Sequence, residues 1–233
     1  MRPNICTGEN MNDKIKIITL DFVNAYLVKV KDGFVLIDTG MPQHWERLEK
    51  ELIAAGCLPS KLKLVVVTHG DQDHLGNCAK LQEKYKAKIA MHEADAFMAE
   101  GGVLLKRKAR TLSAKIRMLL FKLRRQKIGL QKFKPDLSLR DGQDLGKYGF
   151  GAKIIHLPGH TKGSIGILTE EGDLFAGDTL VNSKKPDMAV FVNDSQELKN
   201  SIEKLGKLNI KKVYPGHGKT FSFSDLNIKD GSK

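Results

Sequence analysis

The most constraining feature of the chain is a junction. Leu64-Val65-Val66-Val67, an unbroken apolar run, ends at once in Thr68-His69-Gly70-Asp71-Gln72-Asp73-His74. Apolar residues without alternation mark a strand buried on both faces, which needs further layers above and below it. The turn that follows gathers ionisable side chains at a strand end, where loops display functional groups. The pattern recurs. Residues 153–157 lead into Pro158-Gly159-His160-Thr161, residues 174–176 into Gly177-Asp178-Thr179, and residues 211–214 into Pro215-Gly216-His217-Gly218.

The remaining periodicity supplies the other layers. Residues 15–20, 25–30 and 34–37 read as short strands, with Lys31-Asp32-Gly33 as a hairpin turn. Trp45, Leu48, Leu52 and Ala55 carry a helical period that ends at Gly56, a suitable C-cap. Further helices are expected over about 75–85, from 93 and over about 196–205, with strands over 88–91 and 164–169. This is one α/β domain over residues 1–233, without internal repeat or low-complexity linker.

Charge adds one exception. The 233 residues carry 39 Lys/Arg and 27 Asp/Glu, a net charge of +12. Residues 101–134 hold 12 of the basic residues and no acidic one, so the rest of the chain balances at 27 of each. The basicity therefore belongs to one inserted helical segment. Leu112, Ile116, Leu119, Leu120 and Leu123 share one helical stripe, and Met118, Phe121 and Ile128 lie off it. Four roles are open to this arm: a lid facing an anionic substrate, a contact with an anionic membrane surface, a grip on nucleic acid, or a homodimer contact through Met118 and Phe121. With Phe121 and Phe133 as its only aromatics it offers little stacking surface, which argues against nucleic acid as a partner. No window is apolar over the 18 or so residues that a spanning helix needs. Residues 1–13 are polar and unlike a secretory signal, and whether Met11 is the true start stays open. Cys6, Cys57 and Cys78 form no CxxC pair and read as reduced thiols, so the expected compartment is cytoplasmic.

Seven donors stand in the four turns: His69, Asp71, Asp73, His74, His160, Asp178 and His217. Imidazole and carboxylate together suit borderline-hard divalent ions, and seven of them match what two adjacent ions require. The alternate spacing of 69, 71 and 73 places those three together in an extended turn, with His74 directed to a second ion. His44, His92 and His156 fit no motif. Asn182 and Tyr214 lie near the donor loops and read as structural.

These four stretches, in this order, resemble the metallo-β-lactamase-fold hydrolase superfamily, whose pattern is His-x-His-x-Asp-His, Gly-His, Gly-Asp and a final Gly-His. Residues 34–40, Phe-Val-Leu-Ile-Asp-Thr-Gly, resemble the family's early strand and turn. The resemblance implies a four-layer αββα sandwich with the basic segment 101–134 inserted. It implies that His69, Asp71 and His160 hold a first metal, Asp73, His74 and His217 a second, and that Asp178 bridges them. A hydroxide shared by the ions would be the nucleophile, with Asp73 receiving or orienting its proton. Asp38 would support a metal-binding histidine. Ser164 stands where thioesterase-like relatives often carry another His, so no substrate contact is carried onto it.

One departure matters. Asp71 replaces the family's second His, which gives the first site two His and one Asp. That set leaves Fe or Mn open beside the Zn expected of the pair, and it leaves open a one-metal site with Asp71 turned away. The implied activity is hydrolysis of a small ester, thioester or lactone, anionic or acyl-bearing. Two alternatives remain. A di-iron redox role is suggested by the flavodiiron branch, which carries Glu at this position, although no length remains for its flavin domain. A nucleic-acid-processing role would use the arm, but the further His motif of the nuclease branch is missing.

Overall fold

The computed structural model describes residues 14–101, 108–111, 115, 116, 119 and 130–227. The first sheet runs β1 (Ile15–Leu20), β2 (Val23–Val30), β3 (Gly33–Ile37), β4 (Leu62–Val66), β5 (Ile89–His92) and β7 (Leu137–Leu139) in that spatial order. β1 to β3 are antiparallel, and β3, β4, β5 and β7 are parallel. The second sheet has the order β15 (Phe221–Ser222), β14 (Lys212–Pro215), β10 (Asp173–Gly177), β9 (Ile165–Thr169) and β8 (Ala152–His156). Its one parallel pair is β10 with β14.

Three apolar clusters fill the gaps between four layers. The outer face of the first sheet (Leu36, Val65, Ile89, Met91) packs under Leu48 and Leu52 of α1 (Trp45–Ala54) and Leu81 of α3 (Cys78–Tyr85). The inner faces meet through Val35, Ile37, Leu64 and Val66 on one sheet and Ile154, Ile165, Ile167 and Phe175 on the other. Leu174, Ala176 and Val213 pack outward against Leu198, Ile202 and Leu205 of α5 (Ser195–Gly206). The unbroken run at 64–67 is thereby explained: Leu64 and Val66 point inward, Val65 and Val67 outward, and all four are fully buried. The expected αββα sandwich is what the chain forms.

Several expectations shift in detail. The helix read over about 75–85 is broken into α2 (Gln72–Leu75) and α3. Asn77, between them, donates its side-chain amide to Thr39 O at 2.7 Å and Met41 O at 2.9 Å, which ties the break to the turn after β3. α4 (Glu93–Gly101) follows β5 directly. The ribbon strands β11 (Leu180–Val181), β12 (Asp187–Met188) and β13 (Phe191–Val192) carry no period long enough to read in the sequence.

Much of the arm falls outside the described residues, including Leu112, Met118, Leu120, Phe121, Leu123 and Ile128. Its entry does not. β6 (Lys108–Ala109) pairs with β13, and the Arg110 guanidinium donates to Ala189 O at 2.6 Å. Ile116 and Leu119, two members of the apolar stripe, are 53% and 58% exposed, so this part of the stripe is not covered by the body of the fold. The arm returns to the core at Phe133, which is buried with the α1 layer.

Candidate metal centre

The donors follow the ends of β4, β8, β10 and β14, so topology brings all four turns to one edge of the sandwich. Alternation after β4 holds only as far as Asp71, which is extended (φ −74°, ψ 146°). The helical turn of α2 then begins and turns Asp73 into the other donor group, while the His74 ring stays 4.0 Å from that of His69. Asp73 is thus not grouped with residues 69 and 71 as the spacing suggested. The ligand atoms of His69, Asp71, His160 and Asp178 lie within 4.8 Å of one another, and those of Asp73, His74 and His217 form a second such group.

The separations have metal-site dimensions. Asp71 Oδ2 stands 3.3 Å from His69 Nε2 and 3.2 Å from His160 Nε2. Asp73 Oδ2 is 3.4 Å from His217 Nε2. Asp178 touches both groups, with Oδ1 3.3 Å from His74 Nε2 and Oδ2 3.1 Å from His217 and 3.6 Å from His160. Two donors each about 2.1 Å from one tetrahedral ion stand roughly 3.4 Å apart.

Each imidazole is held by its other nitrogen. His160 Nδ1 lies 2.6 Å from Phe191 O and His217 Nδ1 lies 2.7 Å from Phe22 O. A carbonyl has no proton to give, so both Nδ1 atoms donate, and in the neutral imidazole each Nε2 presents its lone pair to the centre. Asp38 Oδ2 accepts from His74 Nδ1 at 2.7 Å and from the Thr68 hydroxyl at 2.8 Å. With its proton directed to Asp38, the Thr68 oxygen accepts from His69 Nδ1 at 3.0 Å. One buried carboxylate, on a residue with φ 58°, therefore orients two histidines and also binds the Thr68 N–H at 2.8 Å.

The centre fits metal ions on its own terms. His69 Nε2, His74 Nε2 and Asp178 Oδ1 are buried without a hydrogen-bond partner among the described residues, an arrangement that costs free energy until a cation supplies the missing contact. Space is reserved as well: a Cβ on Gly216 would stand 2.7 Å from His74 Cε1 and collide with Asp178 Oδ1. Protons take the cations' part in the metal-free state. Burial works to depress His74 and His217, but the surrounding carboxylates overcome it, holding His74 well above its ordinary value and pushing His217 up to about 10. Burial likewise opposes ionisation of Asp178 and Asp73, and the facing imidazoles reverse the sign, holding both low.

Some supporting residues left no signal in the sequence. Asp95 is fully buried on α4, and its two oxygens accept from Gly70 N at 2.8 Å and Gly163 N at 2.9 Å, tying the His69 turn to the loop after His160. From its position it is simply an acid in a helix's first turn. Asn24 on β2 donates to Pro215 O and Gly218 O, fixing the His217 turn against the first sheet. Ser164 is buried, its hydroxyl 2.7 Å from that of Thr161. Tyr214 packs among Tyr26 and Phe175 in the core. Asn182 donates to Lys219 O at 3.0 Å. His44 pairs with Asp21 at 2.9 Å, and His92 stacks on His156 with ring centroids 4.2 Å apart.

Comparison with known proteins agrees with this geometry. The family model described as metallo-beta-lactamase superfamily matches residues 18–217. The chain is 27% identical over 202 residues to a beta-lactamase-like protein 2 homolog of Caenorhabditis elegans, covering 86% of this chain and 57% of that protein's length. It is 26% identical over 217 residues to an acyl-coenzyme A thioesterase of Homo sapiens, covering 87% and 75% of the two chains. A metallo-beta-lactamase family protein from Thermus thermophilus superposes with a TM-score of 0.68 at 22% identity, over 92% of this chain and 76% of its own. A match of this extent, over four layers and all four donor turns, places the chain in the metallo-beta-lactamase superfamily.

Proposed function

We propose that this metal-dependent hydrolase cleaves a small acyl substrate, anionic and joined through a thioester, ester or lactone bond. The observation that carries the reading is Asp178, whose two oxygens face the two donor groups at once. In this reading His69, Asp71, His160 and Asp178 hold one ion, and Asp73, His74, His217 and Asp178 hold the other. Bound divalent ions supply an acidified water and Lewis-acid polarisation of a carbonyl oxygen. The chain's residues do the rest. The four Nδ1 contacts fix where the imidazoles aim, and burial keeps bulk water from the ligand atoms. Asp73 has the most exposed side chain of the seven, at 22%, and is the group placed to pass a proton between the centre and solvent. Thioesters lead among the bonds because a relative over most of this chain is named an acyl-coenzyme A thioesterase.

The basic segment fits a lid that collects anionic substrate. Its entry strand β6 pairs with Phe191, whose carbonyl orients His160, so the arm is rooted beside the centre.

Metal analysis of protein purified without chelator tests the centre, alongside Asp71→Ala and Asp71→His. Two ions per chain, falling toward one in Asp71→Ala, support the paired site; one ion, unchanged in Asp71→Ala, overturns it. Turnover of an acyl-coenzyme A, an activated ester and a lactone should be lost in His74→Ala and His160→Ala. Activity retained in metal-stripped protein overturns the hydrolytic reading. A second reading has one specific observation behind it. Asp71 gives the first group two imidazoles and two carboxylates, a set suited to iron, and iron with visible absorbance in the isolated protein would favour redox chemistry.

A further inference from the structure

Five exposed lysines, Lys31, Lys63, Lys86, Lys88 and Lys147, line one open cavity of about 580 Å³. It lies at the edge of the sandwich opposite the metal centre. Lys31 sits in the β2–β3 turn, and Lys86 and Lys88 precede β5. Lys63 is the extra residue of a bulge, because Phe34 pairs with Leu62 and Val35 already with Leu64. The donor turn of residues 68–74 follows the far end of β4, roughly 16 Å away at the usual rise per residue.

The charge is segregated. Outside residues 101–134 the chain balances 27 basic against 27 acidic residues, whereas the cavity gathers five ammonium groups against the single carboxylate of Asp32. Among the described residues none of the five is ion-paired. Like charges around one concavity repel, and the same arrangement focuses a positive potential that attracts a multiply charged anion. Two glycine turns pack closely against lysines of the cavity. A Cβ on Gly149 (φ 75°) would stand 3.1 Å from Lys31 N, and one on Gly33 would stand 2.9 Å from Lys63 Cε. Half-buried Tyr148 adds an aromatic wall, with Lys147 Nζ 5.1 Å from its ring centroid. The volume lies within the range of small-ligand sites, about 300–1,000 Å³.

We propose that this cavity binds a compact small molecule bearing two or more phosphates, at a site separate from the metal centre. Lysine ammonium groups donate to the phosphate oxygens, and Tyr148 is available to the organic part of the ligand.

Calorimetric titration of the metal-loaded protein with sodium tripolyphosphate, and separately with ADP, tests the site. The expected result is one saturable site per chain that weakens as salt is added. Affinity should fall about tenfold or more in K63E/K88E and stay within about twofold in K199E/K207E, which makes the same charge change on and just after α5. Circular dichroism and thermal unfolding check both folds, and K63Q/K88Q is the milder replacement should K63E/K88E fail to fold. Equal affinities for the two probes support a site that reads phosphate alone, and tighter ADP supports one that also reads the nucleoside. Binding retained in K63E/K88E or K63Q/K88Q, equal loss in K199E/K207E, absence of a saturable site, or preference for a single-stranded oligonucleotide over both probes overturns the proposal.

Discussion

At the scale of single residues, the donors were legible and what steers them was not. His69, His160 and His217 announce themselves because each follows a strand-like run and adjoins a glycine. Asp95 and Asn24 do not, because their partners are backbone groups 25 to 194 positions away. The hidden residues give sharp expectations. Asp38→Ala removes the acceptor for both Thr68 and His74, and metal affinity should drop about 10–100-fold in a competition titration against a chromophoric chelator. Asp95→Ala strands two buried N–H groups and should cost about 2–4 kcal/mol in denaturant unfolding. The pH dependence has a definite sign. His217 in the metal-free protein stays protonated until about pH 10, well above its ordinary 6.5, and an ion needs the lone pair that this proton occupies. Metal uptake should therefore release protons at neutral pH and tighten as pH rises toward 10. Calorimetry in buffers of different ionisation enthalpy reads the proton count, and uptake without proton release would refute the assignment.

At the scale of elements, legibility followed the strength of the period. β4 could be read because its four apolar residues serve two different cores, and α1 because Trp45, Leu48 and Leu52 share one buried face. The break before α3 could not, because it depends on Asn77 reaching Thr39 and Met41 across the fold. The two-residue strands escaped for want of any period, although β13 is the one whose carbonyl orients His160. α5 shows how an element far from the chemistry can govern it. Leu198 is fully buried, its backbone lies against Gly159, and Ser201 donates to Pro158 O at 2.7 Å. Leu198→Ala should destabilise the protein by about 2–5 kcal/mol. It should also weaken metal binding by loosening the loop that carries His160; thermal unfolding with and without metal separates the two effects.

At the scale of the whole molecule, the centre is a seam. Four donors come from the turn and helix α2 that follow β4 of the first sheet, and three from loops of the second. An ion held by both sides joins the two halves of the sandwich, so loading and folding belong to one equilibrium. Free metal at about 100 times its dissociation constant should add about 2.7 kcal/mol to unfolding. Chelation should remove that increment, and a melting temperature unmoved by chelator would mean that the seam is closed by protein contacts alone. The two carbonyl contacts have a different consequence, which concerns how such a protein can change. His160 and His217 take their aim from the main chain of Phe191 and Phe22, and the Phe22 ring also stacks on His217 with centroids 5.8 Å apart. Mutation replaces side chains and keeps carbonyls. Position 191 can therefore drift in size and polarity while the His160 imidazole stays aimed, which leaves a lineage free to alter the surroundings of the centre without rebuilding it.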